Sequence, residues 1–129
     1  MKPRASSDKR PVNLDIGSMR LPITAYVSIS HRLSGVFLFL MSGVLIWALD
    51  LSLSSPEGFA SVAQALGSTP VKLLTWALAT ALTYHSLSGV KHLIMDMGVG
   101  ETMAGGVLGA RIVICVAALG AMGWGVVLW

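Results

Sequence analysis

This chain has little charge and almost no cysteine. Only 12% of its 129 residues are Asp, Glu, Lys or Arg, about half the share a soluble domain carries. The charges are also missing in blocks. Leu33–Leu49, Leu73–Val90 and Ile112–Trp129 are charge-free runs of 17, 18 and 18 residues, close to the roughly 20 apolar residues that a helix needs to cross a bilayer. Together they leave too little chain for a water-soluble core, which excludes a cytosolic enzyme and a Rossmann or P-loop domain. The single cysteine, Cys115, lies inside an apolar run, so a secreted disulfide scaffold is excluded as well.

The charge that is present is distributed unevenly. Lys2, Arg4, Lys9, Arg10, Arg20 and Arg32 precede the first run, opposed only by Asp8 and Asp15. Such a basic arm could bind nucleic acid, but beside apolar runs it follows the rule that Lys and Arg collect on the cytoplasmic side of membrane spans. Residues 50–71 hold Asp50 and Glu57 without Lys or Arg, and Lys91 and Arg111 flank the next connection. The expected topology has the N-terminus inside, the first loop outside, the second inside and the C-terminus outside. Trp47, Trp76, Trp124 and Trp129 then all fall toward the outer face, where indoles favour the interface. The first run is longer than a signal-peptide core, and more than 30 residues precede it, so no cleaved signal is expected.

The expected fold is an all-α membrane protein with three transmembrane helices, over about residues 22–51, 71–95 and 107–129, behind an inner-side segment at 1–21. Pro22 suits the start of the first helix, since its missing N–H is not needed there. Phe59–Leu66 reads as a short interfacial helix, and Gly98, Gly100, Gly105 and Gly106 as a loose inner connection.

Two polar clusters interrupt the apolar pattern. In Ser28–Gly35, Ser28, Arg32 and Gly35 share a helix face with His31 beside them. In Tyr84–Asp96, His85, Gly89, His92 and Asp96 share another face. Counting from Leu73, His85 lies about 18 Å into the membrane, and an ionisable group at that depth points to a functional site facing the bundle interior. The residues alone leave open that His31 and Arg32 only mark the inner interface and that His85 only bonds a neighbouring helix.

A neutral imidazole deep in a bundle suits haem iron, and cations nearer the surface suit haem propionates. His85 would be the ligand, with His31, Arg32 and His92 about 10 Å nearer the inner face and Gly89 leaving room for the macrocycle. His92, about 10.5 Å along the same helix, cannot oppose His85 across one iron. His31, expected at the level of His92, is equally badly placed. A six-coordinate haem would need a histidine from another polypeptide, so the chain holds half a site.

At these residues the sequence resembles the cytochrome b subunit of succinate dehydrogenase (succinate:quinone oxidoreductase), the larger of its two membrane anchors. The resemblance runs over nearly the whole chain, through Arg10–Asp15, Ser28–Gly35 (SISHRLSG), Ser52–Phe59 (SLSSPEGF) and Tyr84–His92 with Asp96. It implies a three-helix anchor that forms half of a haem-binding bundle with a second three-helix anchor. An iron–sulfur subunit and a flavoprotein subunit would sit on the inner side of a bacterial cytoplasmic membrane. By this resemblance His85 is the haem b ligand, the partner anchor supplies the other axial histidine, and Ser28 and Arg32 belong to the ubiquinone site. His31 and His92, with Arg32, would serve the propionates. The chemistry suits these roles. A serine hydroxyl can donate to a quinone carbonyl, and an arginine stays cationic at any working pH. The alternatives are a haem-free fumarate reductase anchor and a non-redox membrane scaffold or assembly protein.

Overall fold

The computed structural model describes residues 16–129. Most of the expected inner-side segment and the Arg10–Asp15 motif lie outside the described residues. Past a 3-10 turn at Ile16–Ser18, the described chain is all helical: α1 (Ile23–Ser54), α2 (Pro56–Gly67), α3 (Thr69–Asp96) and α4 (Met103–Leu128). Pro22 is the N-cap of α1 in extended conformation rather than its first helical residue. Pro56 and Pro70 take the first-turn positions of α2 and α3, where a missing N–H costs nothing.

Two of these helices, α1 and α4, are long and apolar enough to cross a membrane. The third long helix, α3, has 28 residues, and its hydroxyls, two histidines and two lysines lower its apolar character.

The helices turn sharply at both ends of the bundle. Ser55 caps α2 by accepting from the Gly58 N–H at 3.0 Å. Gly58 packs so closely against the end of α1 that a Cβ would overlap the Leu51 carbonyl and approach Ser54 Oγ to 2.9 Å. At the other end, the α3 terminus closes through Met97 N–H to the Leu93 and Ile94 carbonyls and Gly98 N–H to the Met95 carbonyl. Gly98 and Gly100 follow with φ of 86° and 77°, left-handed values at which only glycine is unstrained. The α3–α4 connection expected to be loose is therefore a specified turn in which Gly98 and Gly100 supply the left-handed backbone, while Gly105 and Gly106 belong to α4.

The core is narrow. Its buried apolar side chains are Val27, Ala110, Val113 and Ala117, with Ser88 wholly buried beside them. In α4 the buried positions Gly106, Ala110, Val113 and Ala117 recur every three or four residues, a stripe of small residues that lets helix backbones approach closely. The α3–α4 pair is joined by two indoles: Trp76 Nε1 donates to the Ala121 carbonyl at 2.8 Å, and Trp124 Nε1 to Thr83 Oγ1 at 3.0 Å. These two tryptophans thus bond helix to helix, which is more than interfacial anchoring. Most other large apolar side chains face outward, Phe39, Leu53 and Val126 among the most exposed.

Candidate functional site: a histidine stack between two helices

The α1–α3 contact is built from polar groups. Tyr84 Oη donates to the Val27 carbonyl at 2.8 Å, bringing α3 against α1 where Val27, Leu87 and Ile23 pack together. One residue on, the His85 ring enters α1 beside Gly35. A Cβ at position 35 would lie 3.0 Å from His85 Cε1, so the missing side chain of Gly35 makes room for the imidazole.

The three histidines form one array. His31 stacks on His85 with ring centroids 4.2 Å apart and 24° between planes, and it lies 5.3 Å from His92 at 41°. His31 is therefore beside His85 and between it and His92, not some 10 Å away at the level of His92 alone. Charge-free runs locate each helix in the bilayer only coarsely. They do not set the axial register of α1 against α3, which Tyr84 and Gly35 fix here. Among the described residues no three His, Cys, Asp or Glu side chains are placed to hold one metal ion, so the array is not a self-contained metal centre.

A triangle of hydrogen bonds determines which His85 nitrogen carries the proton. The His31 carbonyl lies 2.7 Å from Ser34 Oγ and 3.1 Å from His85 Nδ1, and Ser34 Oγ lies 3.1 Å from His85 Nδ1. The carbonyl can only accept. If Nδ1 were bare, it would face the carbonyl lone pair to lone pair. With the proton on Nδ1, the imidazole donates into the triangle while the Ser34 hydroxyl donates to the carbonyl, and every contact is favourable. The neutral ring then presents a bare Nε2, which makes no hydrogen bond to any described residue.

Two further polar atoms at this level are buried without partners, His31 Nε2 and Ser88 Oγ. Buried polar atoms normally have a partner, so a stack with an orphaned nitrogen is suited to a polar ligand group from outside the chain. His92 is half-buried at the end of the array nearer the C-terminus of α3. Ser28 is half-buried and Arg32 exposed on the neighbouring flank of α1, one helical turn apart, and neither bonds to a described residue. The structure thus brings His31, His85 and His92 together and leaves Ser28 and Arg32 beside them, open to the outside. Ser34 was missed by sequence reading. It lay in the quoted motif, three residues after His31, but serines at that spacing commonly bond their own helix carbonyls. Only the arrival of His85 gives it another role.

These elements recur in known proteins. Residues 6–123 match the family described as succinate dehydrogenase/fumarate reductase transmembrane subunit. The succinate dehydrogenase cytochrome b556 subunit of Coxiella burnetii is 35% identical over 122 residues, covering 94% of this chain and 98% of that one. The cytochrome b556 subunit of Paracoccus denitrificans is 32% identical over 91 residues, 70% of each chain. The mitochondrial cytochrome b560 subunit of Mus musculus is 31% identical over 100 residues, 74% of this chain and 57% of the mouse protein. With a match spanning both polar clusters and all four helices to beyond the middle of the last, the chain belongs to the succinate dehydrogenase/fumarate reductase transmembrane subunit family.

Proposed function

We propose that this chain is the haem-bearing, quinone-binding anchor of a succinate dehydrogenase, with α1, α3 and α4 as its three spans. In this reading the N-terminus faces the cytoplasm of a bacterium and the C-terminus the outside. The observation that carries the proposal is the His85 ring, whose Nδ1 is tied to α1 and whose Nε2 is free. Histidines that bind metal characteristically donate their other N–H to a carbonyl or similar acceptor, which orients the ring and raises its basicity.

His85 Nε2 would supply one imidazole to a haem, and His31, stacked on the His85 ring, is not placed to supply a second. The second ligand would come from a partner anchor, whose helices would cover the apolar faces of α1 and α4. The orphaned His31 Nε2 and the half-buried His92 would donate to the carboxylates of a haem b. When bound, the haem would supply a one-electron carrier at the α1–α3 contact.

Ser28 and Arg32 would hold the ubiquinone ring. The Ser28 hydroxyl donates to one carbonyl oxygen, and the Arg32 guanidinium stabilises the negative charge that builds on the ring as electrons arrive from the iron–sulfur subunit, itself fed by the flavoprotein subunit that oxidises succinate. A fixed cation in a poorly hydrated pocket is worth far more than one in water. Protons for the quinol would enter from inner water beside Arg32.

A reduced-minus-oxidised spectrum of the purified complex tests the proposal. His85→Ala is expected to abolish the b-type signal while the chain still copurifies with its partners. An unchanged signal would remove His85 as ligand.

A further inference from the structure

We propose that Ser34 is a positioning residue for His85, and that its hydroxyl, as a second acceptor beside the His31 carbonyl, sets the ring orientation and the donor strength of the imidazole offered to the iron. This inference rests on the haem reading above and deepens it.

Three atoms share the available protons. The Ser34 hydroxyl has a single proton, and the shortest contact of the triangle, 2.7 Å, assigns it to the His31 carbonyl. That leaves the Ser34 oxygen with lone pairs directed at His85 Nδ1, 3.1 Å away. Nδ1 therefore meets two acceptors at the same distance, one from a side chain and one from the backbone. Both reward a proton on Nδ1, and together they define a plane for the ring that one acceptor alone would leave free to rotate. Gly35 completes the seat from below, since a Cβ there would crowd His85 Cε1 at 3.0 Å. The His31 carbonyl and the Ser34 hydroxyl thus hold the imidazole at Nδ1, while the bare Gly35 backbone of the same helix admits its Cε1 edge, next to the free nitrogen.

The consequence is electronic as well as geometric. Acceptors on Nδ1–H push electron density toward Nε2, making it a stronger donor to ferric than to ferrous iron. Hydrogen bonding around the axial ligand is one of the means by which a protein sets haem potential. Removing the side-chain acceptor should weaken ferric binding relative to ferrous and raise the midpoint potential.

The test is redox titration and low-temperature electron paramagnetic resonance of the purified complex carrying Ser34→Ala, Ser34→Thr or Ser34→Cys. Threonine keeps a hydroxyl that in a helix bonds the preceding turn. Ser34→Ala is expected to retain haem but raise the midpoint potential by the equivalent of about a tenfold change in relative ferric binding, about 59 mV for one electron, with altered low-spin g values. Ser34→Thr should restore the parent potential and spectrum, and Ser34→Cys, with its weaker acceptor, should fall between. If Ser34→Ala does not assemble, the Thr and Cys variants still decide, since equal potentials in both would overturn the role of the hydroxyl. Parent behaviour in Ser34→Ala, or an equal shift in Ala and Thr, would also overturn it. The His85→Ala spectrum separates the failures. A b-type signal that survives His85→Ala sinks the haem reading itself, whereas a lost signal combined with an indifferent Ser34→Ala sinks only this inference.

Discussion

Arg32 and His31 are sequence neighbours with different surroundings. His31 turns inward against His85, while Arg32, 100° further around the helix, faces away from α3 and is exposed. An arginine with no carboxylate beside it among the described residues is available to an anionic or charge-developing partner, and a charge-assisted hydrogen bond contributes about 1.5–3 kcal/mol. Arg32→Leu is therefore expected to slow succinate:ubiquinone turnover by about 10–100-fold. The haem spectrum and electron transfer from succinate to a soluble dye should be unaffected, as assays on the same preparation would show. At this scale the sequence was informative about identity and poor about adjacency. That His85 and His92 share a helix face followed from helical periodicity, but the His31–His85 stack and the Ser34 triangle depend on a register between helices that no single-helix pattern encodes.

Helices were more legible than their ends. The expected short helix at Phe59–Leu66 exists, but it extends over the whole of Pro56–Gly67, because Ser55 caps it and Pro56 suits its first turn. The Ser52–Phe59 motif has a physical reason in the tight seat of Gly58 against Leu51. Gly58→Ala would force α2 off α1, and overpacking of this kind costs about 1–3 kcal/mol. The purified complex should lose thermal stability accordingly. Gly67→Ala, in the same helix with open space around it, should change stability by less than about 0.5 kcal/mol. Equal effects at the two positions would remove the close-packing explanation. Gly98 and Gly100 read as flexibility in sequence because φ is not visible there. Their positive values show instead a defined helix end.

At the scale of the molecule, the apolar side chains of α1 and α4 face outward and the core between the helices is thin. A chain that buries so little of its own apolar surface is finished by lipid and by other subunits, as the charge-free runs already implied. The orientation proposed for it can be checked directly. With Cys115 replaced by alanine, a cysteine introduced at Ser61 in α2 should react with a membrane-impermeant maleimide on intact cells. One introduced at Glu101 should react only after the membrane is opened. The reverse pattern would invert the topology.

The distribution of interhelix bonds divides the bundle into unequal parts. Tryptophan bonds secure α3 to α4 toward one end and a glycine turn joins them at the other, so the pair forms a braced hairpin. The side-chain hydrogen bonds between α1 and this hairpin are confined to Val27, His31 and Ser34 meeting Tyr84 and His85. These bonds form one polar latch between the first helix and the hairpin, and the latch is made of the same atoms that aim the imidazole. A cofactor pulling on that ring would therefore also clamp the first helix in place, so that loading the pigment and closing the subunit become one mechanical event.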